Sequence, residues 1–488
     1  MKLKLKKLIF GAGRPVIFLN EQSAKKLNAH IGDRIEIRYD GKEIIAVLDI
    51  VKGFLKTGEV SLSEEATKYI SPKPDKFIDI YLALEPRSNR YIFKKLKGEE
   101  LSKKEIESII KDIVNNALNE AEIAYFVSGV YEKGMTQKET IFLTEAISNT
   151  GEMLKWHYPL IADKHCIGGI PGNRTTPLVI SICAAAGVRM PKTSSRAITS
   201  AAGTADTMET ITNVEFSVSD LKKIVGKTNA CLVWGGSLGI APADDKLIRV
   251  ERMLNIDPES QLIASIIAKK LAAGSNHILI DIPCGEGAKV SKNKAINLKN
   301  KFLAVAKHFK LKMRVVLTSG IQPIGNGIGP LLEMYDVLKV LKRENSPKDL
   351  ERKSIFLAGH ILEMAGKAKK NKGVVMAEEI LYSGKALAKF EEIISAQGKK
   401  ELINLAPHFF KIKSKKSGTI KKIDNFAINH VARTLGCPTD KSAGIYLYYH
   451  IDDKVKKGEP LLTLYSESPK KLQEAIELFN VNSSISIK

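Results

Sequence analysis

The sequence predicts a multidomain chain of mixed α/β and α+β class. A small β-rich N-terminal domain precedes a helical domain and a large α/β domain with a mostly parallel sheet, and a C-terminal α+β region follows. Three observations carry this reading. Near the start, two alternating runs, Arg34 to Tyr39 and Glu43 to Asp49, flank Asp40-Gly41, as in a tight hairpin. Between Lys103 and His157 apolar residues recur at helical spacing, with Ile106, Ile109, Ile110, Ile113, Val114, Ala117 and Leu118 on one face and charges on the other. From Leu160 onward short apolar runs alternate with helical stretches, the pattern of a parallel layer whose ligand loops sit at the strand C-termini.

Taken in order, the first segment runs to about Leu84, with Val16 to Leu19 as a strand and Pro72, Pro74 and Pro86 as punctuation. It carries no chemistry, so packing or assembly is its expected task. In the helical part Tyr125-Phe126-Val127-Ser128-Gly129 is expected to break the pattern, and a further helix is expected from Gln137 to Asn149. Lys246 to Ala273 again reads as helix. Cys231 to Trp234 reads as a strand ending in the sharp turn Gly235-Gly236-Ser237-Leu238-Gly239. His277 to Ile282 and Val315 to Thr318 are apolar strands, alternating with helices Lys292 to Phe309 and Gly329 to Leu341. Strand patterns at Ile445 to Tyr449 and Leu461 to Tyr465, with one amphipathic helix near Lys471 to Leu478, close the chain.

Composition bounds the function. At 488 residues and 44% hydrophobic content the chain can build several cores. Its five cysteines are scattered singly, forming neither a CxxC zinc pattern nor an even disulfide framework, so a reducing cytoplasm is the expected compartment and no metal or cofactor is implied. No stretch approaches the roughly 18 apolar residues of a membrane span. The formal charge of +22 is lysine spread along the chain without aromatic interleaving. That argues against a nucleic-acid partner, while a positive field helps capture an anionic ligand.

Chemistry concentrates between Asp163 and Glu209. After Leu160-Ile161-Ala162 the strand is expected to end at Asp163-Lys164-His165, and Gly168-Gly169-Ile170-Pro171-Gly172-Asn173 then leads into a helix. Glycines let backbone N–H groups approach a ligand, and a helix start adds unpaired donors. A second loop, Lys192 to Asp206, repeats the arrangement, with Thr193, Ser194, Ser195, Thr199, Ser200 and Thr204 as hydroxyls and Lys192 and Arg196 as charges. Neither loop has Walker or dinucleotide-binding spacing, and together they suit a phosphate.

Asp163-Lys164-His165 with Gly168-Gly169, Ser194-Ser195-Arg196 and Gly203-Thr204-Ala205-Asp206 resembles the nucleoside phosphorylases of the thymidine/pyrimidine type. The GGIPGN form and the run SSRAITSAAGTAD look like the archaeal-type AMP-phosphorylase branch. The resemblance implies four domains: 1–84 for assembly, 85–157 with 244–275 helical, 158–243 with 276–410 α/β and phosphate-binding, and 411–488 α+β. It implies a pentosyltransferase that cleaves nucleoside 5′-monophosphates with inorganic phosphate, AMP giving adenine and ribose 1,5-bisphosphate, with CMP and UMP as further substrates. A homo-oligomer, dimer or larger, is implied as well. The alternatives are a thymidine or pyrimidine-nucleoside phosphorylase acting on unphosphorylated sugars and, from another class, a basic nucleotide- or RNA-binding protein.

Residue by residue, the resemblance implies phosphate ligands at Lys164, Thr176, Ser194 and Thr204, with Thr175 in place of Thr176 if the longer PGN loop shifts the register. Nucleotide contacts are implied at Gly169, Ser195, Arg196, Ala197, Ile198, Thr199, Ser200, Thr204, Ser265 and Lys289. Lys269, one helical turn from Ser265, is a further candidate. Asp257 matches the proton donor, a role that needs a carboxyl protonated near neutral pH, and His165 is the rival acid. Cys166 stands where the family usually has Ser or Thr, and a thiol donates more weakly than a hydroxyl. Its reading as a nucleophile is not needed for phosphorolysis.

Overall fold

The computed structural model describes residues 1–8, 10–197, 200–481 and 484–488. The chain forms two compact units, Met1–Thr150 with Pro242–Ala264, and Gly151–Ala241 with Ser265–Lys488.

The first unit opens with a closed six-stranded barrel: β1 (Lys2–Leu5), β2 (Val16–Leu19), β3 (Arg34–Tyr39), β4 (Lys42–Ile50), β5 (Glu59–Leu62) and β6 (Phe77–Leu82), in the order β1-β5-β2-β4-β3-β6. The expected hairpin is present. Tyr39 pairs with Lys42 across Asp40 (φ 48°) and Gly41 (φ 73°), the two left-handed residues that a primed two-residue turn requires. The Lys/Leu alternation at the start is itself a strand, with Leu3 and Leu5 in the barrel core.

The helical part contains Ser88–Leu96, Lys103–Val114, Glu120–Lys133, Gln137–Ser148 and Pro242–Leu254. Ser102, Asn119 and Thr136 each start a helix with a capping box, so its boundaries are written in local sequence. The expected break at Tyr125 to Gly129 does not occur, because Ile123, Phe126, Val127 and Val130 bury one face of a continuous helix. Gly129 sits where this helix meets Leu96, and its backbone needs no turn. Lys246 to Ala273 is two helices rather than one: the first ends at Leu254, Asn255 turns left-handed (φ 53°), and Glu259–Ala272 follows.

In the second unit β7 (Ala162–Cys166), β10 (His277–Cys284) and β11 (Lys312–Ser319) form a parallel sheet in the order β11-β10-β7. A parallel pair, β8 (Met190–Ser194) with β9 (Ala230–Trp234), continues the layer, since Ala162 N–H donates to the Arg189 carbonyl. Both leading strands run further than expected. Asp163 to Cys166 pair in register with Ile278 to Asp281, and Lys192 to Ser194 with Leu232 to Trp234, so these charged residues are strand rather than loop. The helix Thr175–Ala185 is buried along almost its whole length, which matches its largely apolar sequence and fixes the loop that feeds it.

Two antiparallel sheets complete the unit. The first joins β12 (Gly327–Ile328), β13 (His408–Lys413), β15 (Gly444–Leu447) and β17 (Pro460–Ser466). The second joins β14 (Gly418–Ile423), β16 (Lys454–Val455) and β18 (Ile485–Ile487). They pack with the helices Asn425–Thr434 and Pro469–Val481 into a separate apolar cluster. Among the described residues no helix is long and apolar enough to cross a membrane.

One buried charge pair in the helical part gives a direct stability test. Glu139 accepts from Lys95 Nζ at 2.8 Å, Leu101 N–H at 2.9 Å and Thr136 N–H at 2.8 Å, and both side chains are almost fully buried. Glu139→Ala strands a buried ammonium, so chemical denaturation should show the first unit destabilised by about 3–5 kcal/mol. An unchanged unfolding midpoint would mean that the pair is not closed in solution.

Candidate active site

The site is built on β7. Successive side chains of a strand point to opposite faces, so Asp163 and Lys164 diverge. Asp163 is fully buried and bridges two lysines: Lys192 of β8 lies 3.1 Å from Oδ1 and Lys270 of the Glu259–Ala272 helix 2.6 Å from Oδ2. Burial alone would raise the Asp163 carboxyl, but the two ammonium charges outweigh it and hold it below its ordinary 3.8. Burial lowers Lys270, and Asp163 restores part of that loss. With both contacts at ion-pair distance, the charged form of the cluster is the one the geometry favours.

On the other face Lys164, 1% exposed, donates from Nζ to Thr175 Oγ1 at 2.8 Å. Of the two threonines considered, it is Thr175 that meets Lys164; Thr176 is buried beside it. Burial pulls the Lys164 ammonium down, Cys166 and Asp281 pull it up, and Lys353 and Arg174 add to the burial effect. Asp281, also fully buried, accepts from Thr318 Oγ1 at 2.6 Å and lies 3.1 Å from Lys353 Nζ.

The first loop is shaped by close approaches. A Cβ on Gly169 (φ 89°) would lie 3.0 Å from Lys289 Cβ, so the glycine lets the two predicted ligand positions meet, and Lys289 Nζ reaches the Ile167 carbonyl at 3.5 Å. A Cβ on Gly172 would fall 2.4 Å from the Ile324 carbonyl oxygen, which leaves no room for any other residue. Cys166 accepts from Asn173 Nδ2 at 3.4 Å. Burial and then Asp281 raise its thiol above the usual value against Lys164, so it stays protonated and is a poor nucleophile.

The second loop is held by carboxylates. Asp206 Oδ2 accepts from the N–H groups of Ala197 at 2.6 Å and Gly203 at 2.8 Å. Gly203 packs against Ser195 and Ala197 so tightly that a Cβ would lie 2.7 Å from their backbone atoms. The Arg196 guanidinium is paired with Glu209 at 2.6 Å and Glu215 at 2.8 Å and stacks over Trp234, while Lys192 is spent on Asp163. Both of the loop's expected cations therefore already carry carboxylate partners. Ser194 Oγ donates to the Val233 carbonyl, Ser200 Oγ donates to the Ala202 carbonyl, and Ser195 is exposed. Ile198 and Thr199 lie outside the described residues.

The charge facing Thr204 comes from a residue that sequence reasoning missed. Arg174, the residue before the buried helix, donates to Thr204 Oγ1 at 2.8 Å and to the Ala202 carbonyl at 2.8 Å, and it pairs with Glu333 at 2.7 Å. Burial raises the Glu333 carboxyl against Arg174, yet an arginine never gives up its charge, and two 2.7 Å contacts to it favour the carboxylate. Asp281, alone in the apolar run HILIDI, was the visible hint of a buried polar cluster.

Ser265 is buried on the Glu259–Ala272 helix, with Lys269 one turn further on. Asp257 is exposed in the link before that helix, within the first unit. His165 keeps an exposed edge, but burial and then Lys270, Lys192, Lys269 and Lys164 hold its imidazole well below 6.5. It is neutral at pH 7. The described residues thus offer buried cations and hydroxyls at the strand ends, an arrangement suited to a phosphate dianion.

Residues 89–151 match the helical bundle domain and residues 158–387 the a/b domain of a glycosyl transferase family, and residues 419–486 match the pyrimidine nucleoside phosphorylase C-terminal domain. In solved structures the fold is shared with anthranilate phosphoribosyltransferase from Thermus thermophilus, at TM-score 0.53 and 18% identity over 63% of this chain and 98% of that one. Over nearly its full length the chain is 43% identical to the AMP phosphorylase of Pyrococcus furiosus, covering 98% of this chain and 96% of that protein. AMP phosphorylase 1 of Archaeoglobus fulgidus is 40% identical, covering 99% and 97%. The chain belongs to the AMP phosphorylase family.

Two substitutions test the site as described. Cys166→Ala should keep turnover, whereas removing a true nucleophile costs about a millionfold, so a dead variant would restore that role. Because the Asp163 carboxyl is held below 3.8, the folded chain binds that proton less readily than the unfolded one. The resulting stabilisation is present above the ordinary value and lost as the pH falls through the folded one. Asp163→Asn should therefore flatten the acid limb of the stability profile and lower stability at pH 7 by about 3–5 kcal/mol. An acid limb that stayed as steep in Asp163→Asn would contradict the charged cluster.

Proposed function

We propose that the chain catalyses phosphorolysis of nucleoside 5′-monophosphates, converting AMP and phosphate to adenine and ribose 1,5-bisphosphate, with CMP and UMP also accepted. The carrying observation is membership of the AMP phosphorylase family across the whole chain. The juxtaposition of Lys289 with Gly169 supports a nucleotide over a nucleoside, since a cation beside the glycine loop can pair with a 5′-phosphate.

In this reading Lys164, Thr175 or Thr176, Ser194 and Thr204 hold the attacking phosphate. An oxygen of that phosphate forms the new bond to C1′ as the glycosidic bond to the base breaks through an oxocarbenium-like state. The electron pair of the broken bond leaves with the base. Gly169, the Ser195–Ser200 segment, Ser265 and Lys289 hold the nucleotide, with Arg196 serving through its backbone. Adenine leaves poorly as an anion, so a proton must reach it, and we assign the donor to Asp257. A neutral His165 has no proton to spare as a strong acid, which counts against the rival assignment.

We also infer a cytoplasmic enzyme, since all five cysteines are free thiols. A homo-oligomer assembled through the N-terminal barrel fits Phe54, Phe77 and Leu84, which expose large apolar side chains on that segment.

Three measurements check these assignments. Incubation with AMP, CMP, UMP, adenosine and thymidine, each with phosphate, should give product from the nucleotides and hardly any from the nucleosides; preferential cleavage of thymidine would replace this reading. Lys289→Ala should lower kcat/KM for AMP about 30-fold, equivalent to about 2 kcal/mol for truncating one partner of a desolvated charge pair. Asp257→Asn should lower turnover about 10²–10⁴-fold while AMP still binds. If Asp257→Asn kept its rate and His165→Ala lost it, the acid would be His165.

A further inference from the structure

Arg174 lies where the two loops join. Its fork makes three kinds of contact at once: Nε and Nη2 to Glu333 Oε2 at 2.7 Å, Nη1 to Thr204 Oγ1 at 2.8 Å, and Nη2 to the Ala202 carbonyl at 2.8 Å. Glu333 is itself fixed, fully buried, with Oε1 accepting from Gly329 N–H at 3.2 Å. Arg174 is also the residue that enters the buried helix beginning at Thr175, and Thr175 in turn accepts from Lys164. One side chain therefore ties the end of the first loop to the end of the second.

The hydroxyl chemistry gives this clasp a direction. A threonine hydroxyl has one hydrogen to donate and lone pairs to accept with. Thr204 Oγ1 accepts from the guanidinium and Thr175 Oγ1 from the Lys164 ammonium, and among the described residues neither hydroxyl has an acceptor for its own hydrogen. A cation on the oxygen turns each hydroxyl into a committed donor and polarises its O–H bond. Two such donors, Thr175 itself and the Thr204 that its neighbour Arg174 holds, are what an anion needs and what a neutral ligand does not.

We propose that Arg174 is a positioning residue of the phosphate pocket: braced by Glu333, it holds the Thr204 hydroxyl as a hydrogen-bond donor to the attacking phosphate and locks the second loop against the first. Its own charge is neutralised by Glu333, so it acts on phosphate through Thr204. Lysine cannot replace it, because one ammonium cannot serve Glu333, Thr204 and the Ala202 carbonyl together in fixed directions. The inference rests on the phosphorolysis reading only in naming the anion as phosphate.

The test uses inorganic phosphate as the probe on the full-length protein, by calorimetric titration, with AMP turnover followed separately. Arg174→Lys should weaken phosphate binding about tenfold, the worth of a hydrogen bond to a charged group, while AMP affinity and melting temperature stay near wild type. Thr204→Val should weaken phosphate binding by a similar factor, Thr204→Ser should retain it, and Arg174→Lys combined with Thr204→Val should bind phosphate no worse than Thr204→Val alone. Phosphate binding unchanged in Arg174→Lys, or losses that multiply in the double variant, would overturn the proposal, as would an Arg174→Lys that only lowers the melting temperature. A wild type that binds phosphate with this pattern but leaves AMP uncleaved would sink the phosphorolysis reading and spare the role of Arg174. A wild type that binds no phosphate would sink both.

Discussion

The site hangs on Asp163. A carboxylate buried in a parallel strand is costly unless its charge is answered, and here two lysines from different elements answer it, Lys192 from β8 and Lys270 from the helix that also carries Ser265. Three elements meet at that one side chain. Because a strand alternates faces, fixing Asp163 on one side also fixes Lys164 on the other, where it meets Thr175 at the entrance of the central buried helix. The cluster carries one net positive charge directly behind the loops. The ion cluster on one face of β7 thus sets the place of Lys164 and Thr175 on the other.

The same field explains which groups around the pocket are quiet. His165, on the lysine side, is kept neutral, and Cys166, beside Asp281, keeps its proton, so neither offers nucleophilic or strong-acid chemistry at neutral pH. What remains are cations, hydroxyls and backbone donors. Such a set binds and polarises an anion without bonding to it covalently, which is what direct displacement at a sugar carbon requires.

Local signals in the sequence read through well. Asp40-Gly41 gave its hairpin, the spacing of Ile106, Ile109, Ile110 and Ile113 gave a helix, and HILIDI gave β10, because each depends on residues a few positions apart. The errors share a cause in distant partners. Tyr125 to Gly129 looked like a break until Leu96 supplied the surface that Gly129 packs against. Lys192 and Arg196 read as loop charges, and only the fold shows that Asp163, Glu209 and Glu215 pair with them. Arg174 carried no signal at all, since its partners Thr204 and Glu333 lie 30 and 159 positions away. A loop motif shows that an anion is expected, but which cation faces it is decided by pairings that only the fold makes.

We propose that inorganic phosphate binds at the end of β7, over Lys164 and Thr175. Phosphorus NMR of free phosphate titrated with the protein, without any nucleotide, measures this directly. The wild type should broaden or shift the phosphate signal in a saturable way, and Lys164→Met should weaken that binding at least about 30-fold, the lower end of what losing a buried charge partner costs. A Lys164→Met variant that bound phosphate as well as the wild type would rule out this site.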